Sequence, residues 1–270
     1  MTRLLVLALL SLGLVAVPPA APASAGEVVK MRLHRAVKQL PVARETRRGY
    51  DRDKFRHWVD ADGDCRDTRD EVLADESLTA VSGCDVQQGR WRSYYDGVVV
   101  RDSSAFDVDH LVPLAEAWDS GAKRWTAGTR RAFANDLGDA RSLVAVTASS
   151  NRSKSDQDPA EWLPALDRCR YVREWTAVKI RWSLSVDRTE KRVLVRRAEG
   201  CRNLVVKVRR ATVRTSTKSG GGSTGGSGGT DPQFDYCYQA KDAGYGPYYK
   251  GQDQEYAWYD DADGDGVVCE

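Results

Sequence analysis

The run Ser219–Gly229 (Ser-Gly-Gly-Gly-Ser-Thr-Gly-Gly-Ser-Gly-Gly) holds no side chain that could be buried in a core. Such a stretch behaves as a flexible coil, so the chain must fold as separate units on either side of it. Charge divides at the same place. From Asp231 to Glu270 there are ten acidic residues against Lys241 and Lys250, a balance of −8. With Arg3 set aside, residues 26–230 carry +9 of the overall +2. A basic body suits a polyanionic partner.

The first residues read as a secretory signal. Arg3 supplies the positive start, Leu4 to Val17 an apolar run too short to span a bilayer with ease, and Ala23-Ser24-Ala25 a cleavage site. No later stretch approaches about 18 uninterrupted apolar residues, so no membrane span is expected. Export gives meaning to six cysteines, because thiol pairs persist as disulfides outside the cell. Their order suggests Cys65 with Cys84, Cys169 with Cys201, and Cys237 with Cys269. Zinc is disfavoured, since no C-x-x-C or H-x-x-x-H spacing occurs. The expected organisation is a signal peptide at 1–25, a mobile basic lead-in at 26–48, a main domain at 49–214, a linker at 215–230 and a small module at 231–270.

The lead-in carries a weak helical pattern in Val29, Leu33, Val37 and Leu40. It is followed by an acidic loop with Asp60, Asp62 and Asp64 at alternate positions and Glu71 at position twelve, which are ligand positions of a calcium loop. Cys65 stands sixth, where that loop wants Gly. The segment therefore reads either as a second calcium site or as an Asp-rich turn pinned by Cys65. Arg90–Tyr95 and Val98–Arg101 flank Asp96-Gly97 as a two-residue hairpin. Phe106–Val112 then alternates like a half-buried strand until Pro113 stops it.

Two short helices, 114–118 and 129–135, precede the apolar run Leu143–Thr147. Ser149 or Ser150 can cap a helix through Asn151. The order strand, insertion, strand, helix brings the end of the first strand against the start of the last helix. Further on, Trp162, Leu166, Tyr171, Trp175, Val178 and Trp182 recur at helical spacing and read as core. Asp187–Glu190 reads as a capping box and Gly200 as a stop. From Arg168 to Lys218, sixteen basic residues face four acidic ones, either as a solvated helix surface or as a contact for a nucleic-acid backbone.

Asp107-Val-Asp-His-Leu-Val-Pro-Leu114 and Ser150-Asn-Arg-Ser-Lys-Ser-Asp156 bring together the residue types that phosphodiester hydrolysis needs. A His can take the proton of the attacking water. A divalent cation held by carboxylate or amide oxygens can neutralise charge on the phosphate. Asp109, His110 and Asn151 supply these groups, and Lys154 or Arg152 could hold the phosphate. These two motifs resemble the ββα-metal core of HNH endonucleases, particularly secreted bacterial proteins related to the C-terminal domain of the GmrSD restriction enzyme. The resemblance implies an α+β fold with a ββα-metal core and added helices. It also implies His110 as general base, with Asp109 and Asn151 holding Mg²⁺ or Mn²⁺. One departure stands out: the middle Asn that secures the loop between the strands has no clear counterpart, the expected position offering Asp139, Arg141 or Ser142, with Asn135 further back.

Cys237, Ala243-Gly244, Pro247, Tyr256 and Asp261-Ala-Asp-Gly-Asp-Gly-Val-Val-Cys-Glu270 resemble, across residues 233–270, the Excalibur domain, a small disulfide-closed extracellular calcium-binding module. Asp261, Asp263 and Asp265, with Gly266 sixth, repeat the oxygen spacing of a calcium loop, and the Val267 carbonyl fits position seven. Glu270 falls at position ten, short of the usual bidentate closure. The expectation is a secreted, extracellular bacterial monomer, free or associated with the cell surface, that cleaves DNA, or RNA, and binds Ca²⁺ through its tail. The competing reading is a non-catalytic extracellular protein that binds nucleic acid or cell wall.

Overall fold

The computed structural model describes residues 26–216 and, in the tail, 233–234, 236–242, 245, 248–251, 253–261 and 266–269. The signal peptide, the Gly/Ser run, Asp263, Asp265 and Glu270 lie outside the described residues.

The body runs β1 (Val28–Arg32), α1 (Leu33–Gln39), α2 (Thr68–Glu76), β2 (Gln88–Arg92), β3 (Val99–Asp102), β4 (Phe106–His110), α3 (Leu114–Asp119), α4 (Ala127–Ala134), β5 (Leu143–Thr147), α5 (Ala148–Lys154), α6 (Arg168–Arg181), α7 (Arg188–Glu199) and β6 (Val205–Arg209). The described strands form two-stranded antiparallel ladders, β1 with β6, β2 with β3 and β4 with β5. This is an α+β fold.

The β4–β5 pair divides the core. Successive side chains of a strand point to opposite faces. On one face Phe106, Val108, Leu143 and Ala145 join Val72 and Leu73 of α2 and Trp91 of β2. On the other, Val144 and Val146 belong to the larger core built with α1, α6 and α7. The register pairs Asp107 with Val146 and Asp109 with Val144, so both carboxylates share the larger-core side.

The expected mobile lead-in is instead part of that core. Val29, Leu33, Val37 and Leu40 are all buried, and β1 pairs with β6 across most of the chain. The Lys191 ammonium donates to the carbonyls of Val37, Lys38 and Leu40 at the end of α1, where unpaired carbonyls attract a cation. Basic composition misled here because the charges lie on the exposed side of an amphipathic segment.

Other expectations shift in detail. The β2–β3 ladder closes at Ser93 and Val98, so Tyr94–Gly97 form a four-residue turn with Gly97 at φ +79°. The turn is longer because Tyr94 and Tyr95 are drawn into the core. Thr147, not a serine, caps α5 by accepting from Ser150 N. Asp187 caps α7 as expected, accepting from Glu190 N, and Gly200 ends it. Tyr171, Trp175, Val178 and Trp182 are core, whereas Leu166 is exposed.

All three disulfides join the cysteines paired by order, with Cα–Cα distances of 5.3, 5.6 and 4.7 Å. In the tail, α8 (Cys237–Asp242) and the pair β7 (Tyr248–Tyr249) and β8 (Val267–Val268) surround a small core of Ala240, Tyr248, Val268 and Cys269.

Candidate functional site

The helix α5 lies against β4 and matches it residue for residue. Asn151 Nδ2 donates to Asp107 Oδ2 at 3.0 Å, and Lys154 Nζ donates to Asp109 Oδ1 at 2.9 Å. Residues i and i+2 of a strand share a face, as do i and i+3 of a helix, so these four positions meet as two pairs. Since a carboxylate can only accept, the amide nitrogen of Asn151 must face Asp107, which leaves its carbonyl oxygen for another partner.

Asp109 is buried. Its carboxylate accepts from Lys154 and from the Tyr95 hydroxyl at 2.6 Å. Burial pushes the pKa of Asp109 up and that of Lys154 down, each shift opposed by the charge of the other. The Lys154 ammonium also donates to His110 O at 3.0 Å, and the side chain is wholly enclosed. This corrects the role expected of Lys154: an ammonium spent on Asp109 and a backbone carbonyl cannot reach out to grip a phosphate.

His110, the next residue, faces the other way. Its Nε2 lies 2.9 Å from Ala134 O, and a carbonyl can only accept, so Nε2 carries the proton and Nδ1 the basic lone pair. The ring is stacked between Trp58, at 5.3 Å between centroids, and Phe133, at 6.4 Å. Burial lowers its pKa to about 3; the bond to Ala134 opposes this, and the charges of Arg52, His57 and Lys154 add to it. The imidazole is therefore neutral, and in the form of a base, at ordinary pH.

Asn135 follows that carbonyl. Its Oδ1 accepts from Val59 N and Thr68 Oγ1, and its Nδ2 donates to Arg56 O and Arg131 O. Loop support expected near residues 139–142 thus comes from Asn135. Arg141 is engaged by Asp139, and Ser142 by Asp136, which also binds Arg181 and Trp182. Only the sequence distance from Leu143 argued against Asn135; its place at the C-terminus of a short helix was the available signal. Tyr95 and Trp58 carried no signal, because both reach the site through tertiary contact.

One open cleft of about 360 Å³ is bordered by Asp109, His110 and Asn151, together with Tyr50, Arg52 and Arg152. The donor set suits a hard divalent cation: a carboxylate and an amide oxygen at a water-accessible opening, with room for the waters and phosphate oxygens that Mg²⁺ retains.

Asp60, Asp62 and Asp64 each place a carboxylate oxygen within 4.8 Å of the others. Asp60 accepts from Gly63 N and Cys65 N, and Cys65 takes the left-handed φ of +85° usual for Gly. Glu71 lies on α2 and feels Asp64 and Asp62, which, after burial, raise its pKa. In the tail, Asp261 Oδ2 likewise accepts from Gly266 N, five residues on.

A buried two-stranded ladder backed by a helix, with carboxylate, amide and imidazole at its end, is the architecture of ββα-metal nucleases. Residues 66–197 match the family described as the C-terminal domain of GmrSD restriction endonucleases, and residues 234–270 match the Excalibur calcium-binding domain. A protein of Arthroderma benhamiae named "Uncharacterized secreted protein" is 44% identical over 157 residues, which span 57% of this chain and 76% of that protein. The chain belongs to the GmrSD C-terminal-domain family of HNH nucleases and carries an Excalibur domain behind it. No solved structure matches it. Among the described residues no helix is long and apolar enough to cross a membrane.

Proposed function

We propose that this protein is a secreted, metal-dependent HNH endonuclease that hydrolyses phosphodiester bonds of DNA. His110 is the general base, and Asp109 and Asn151 hold Mg²⁺ or Mn²⁺. The supporting observation is the cleft itself, where the three residues meet and where the Ala134 carbonyl fixes the proton of His110 on Nε2. A water attacks phosphorus, its proton passes to Nδ1 of His110, and the phosphorus–oxygen ester bond breaks, the leaving oxygen taking a proton from solvent. A divalent metal held by Asp109 and Asn151 would supply the positive charge that offsets charge on the phosphate and the leaving oxygen. Asp107 holds Asn151 so that its carbonyl oxygen is presented, while Lys154 and Tyr95 fix Asp109.

The experiment is plasmid cleavage by the mature full chain in Mg²⁺, Mn²⁺ or EDTA, beside His110→Ala. Metal-dependent nicking that His110→Ala loses is expected. Intact DNA and RNA in every metal, or equal cutting by the variant, defeats the reading. The tail is assigned Ca²⁺, held by Asp261, Asp263, Asp265, the Val267 carbonyl and Glu270. A second Ca²⁺ is assigned to Asp60, Asp62, Asp64 and Glu71. The chain is read as a monomer working outside the cell after loss of residues 1–25, with its nuclease unit and tail on either side of the 215–230 linker; the three disulfides suit an oxidising compartment.

A further inference from the structure

With Lys154 enclosed, only Arg152 of the two cations expected to hold the phosphate still faces the cleft. Two guanidinium groups border the cleft, Arg152 from α5 and Arg52 from the opposite direction in the chain. Arg52 opens a short 3-10 turn, Arg52–Lys54, whose position is firmly set. Asp51 caps the turn by accepting from Asp53 N. Phe55, directly after it, is fully buried against Trp118 and Phe133. Arg130 Nε donates to Lys54 O at 3.1 Å.

The guanidinium has its own support. Arg52 Nη2 lies 3.4 Å from His57 Nε2, and His57 Nδ1 lies 3.0 Å from Phe55 O. Arginine only donates and a carbonyl only accepts, so His57 must carry its proton on Nδ1 and offer its Nε2 lone pair to Arg52. The His57 ring stands 6.3 Å from that of His110. The guanidinium of Arg52 is thus oriented by His57 and also meets the Tyr50 hydroxyl, while the residue stays exposed at the cleft that holds Asp109, His110 and Asn151. Both Arg52 and His57 precede residue 66, where the family match begins.

We infer that Arg52 is the catalytic cation that binds the non-bridging oxygens of the scissile phosphate, and that His57 is the positioning residue that aims it. This rests on the nuclease reading above. A planar guanidinium suits a phosphate because it donates two parallel hydrogen bonds, and charge that grows on those oxygens during attack strengthens them. The interaction is therefore stronger in the transition state than with bound substrate.

The test measures steady-state cleavage of a short DNA duplex in Mg²⁺ by the full disulfide-bonded chain, with melting curves to verify folding. Arg52→Ala is expected to lower kcat about a hundredfold while KM changes little. Arg52→Lys should recover only part of the loss, and added guanidinium ion should restore Arg52→Ala but not His110→Ala. His57→Ala should give a smaller fall in kcat that His57→Gln, still an acceptor, partly reverses. Arg52→Ala within twofold of wild type, or a loss confined to KM, overturns the assignment of Arg52. If His110→Ala is inactive in that same series, the nuclease reading survives. A wild type that cleaves nothing in any metal overturns both.

Discussion

Lys154 Nζ lies 2.8 Å from Asp109 Oδ2, with Lys154 fully enclosed and Asp109 open only by its edge at the cleft, so a helix and a strand are joined by a largely buried ion pair beneath the candidate site. Lys154→Met leaves a buried carboxylate supported by Tyr95 alone. Breaking such a pair costs about 3–5 kcal/mol, so urea unfolding should show a loss of that order. Lys154→Met combined with Asp109→Asn should recover part of it, because the stranded charge is gone. A Lys154→Met loss below about 1 kcal/mol would mean that the pair is not closed to water.

Asn135 acts on the other side of the ladder. Asn135→Ala removes the acceptor of Val59 N and Thr68 Oγ1 and the amide donor to Arg56 O, and a hydrogen bond lost at a partly buried group costs about 1–3 kcal/mol. A destabilisation of about 2 kcal/mol in denaturant melts is expected, along with a loss of nuclease activity under conditions where the variant is still folded. Asn135→Asp should retain the acceptor contacts with Val59 and Thr68 and lose the two donated bonds. Wild-type activity in folded Asn135→Ala would show that the loop needs no such tie.

Stability should fall as pH rises from about 5 to 8. Burial raises the carboxyl pKa of Asp158 to about 6, of Glu45 and Glu76 to about 7, and of Glu190 to about 8. Glu45, Glu116 and Glu190 converge around Lys179, which donates to Glu116 and to Ser120 Oγ at 2.6 Å. Groups whose folded pKa exceeds the unfolded value contribute stability that is complete below the unfolded pKa and vanishes as pH rises through the folded one. The melting temperature should therefore be higher at pH 5 than at pH 8, and Glu190→Gln should flatten the slope. An unchanged melting temperature across that range would contradict the assignment.

Calcium should bind at two places that mutation separates. Calorimetric titration of the full chain with Ca²⁺ should give heat that Asp263→Ala and Asp265→Ala reduce, and a further part that Asp60→Asn removes. Heat unaffected by Asp60→Asn would leave residues 60–71 as a turn pinned by the Cys65–Cys84 disulfide.

The two motifs made the chemical groups legible because His, Asp and Asn declare their chemistry wherever they stand. The strand–insertion–strand–helix order and the disulfide partners were equally legible, since each depends on local pattern or on the order of a few residues. The place of the lead-in is not legible in sequence: Val29 and Leu33 show only a weak periodicity, and their burial depends on β6, which follows near the end of the body.

Sequence alone determined that a basic body carries His110, Asp109 and Asn151 in the order of a ββα core, and that an acidic, disulfide-closed module follows it. Tertiary structure decided how those groups are used. It buried Lys154 against Asp109, brought the Ala134 carbonyl and the Trp58 ring to His110, assigned the loop support to Asn135 and carried Arg52 to the cleft. The reason is physical. Which hydrogen bonds a side chain has left to offer depends on the neighbours that folding places around it, and those neighbours come from distant parts of the chain.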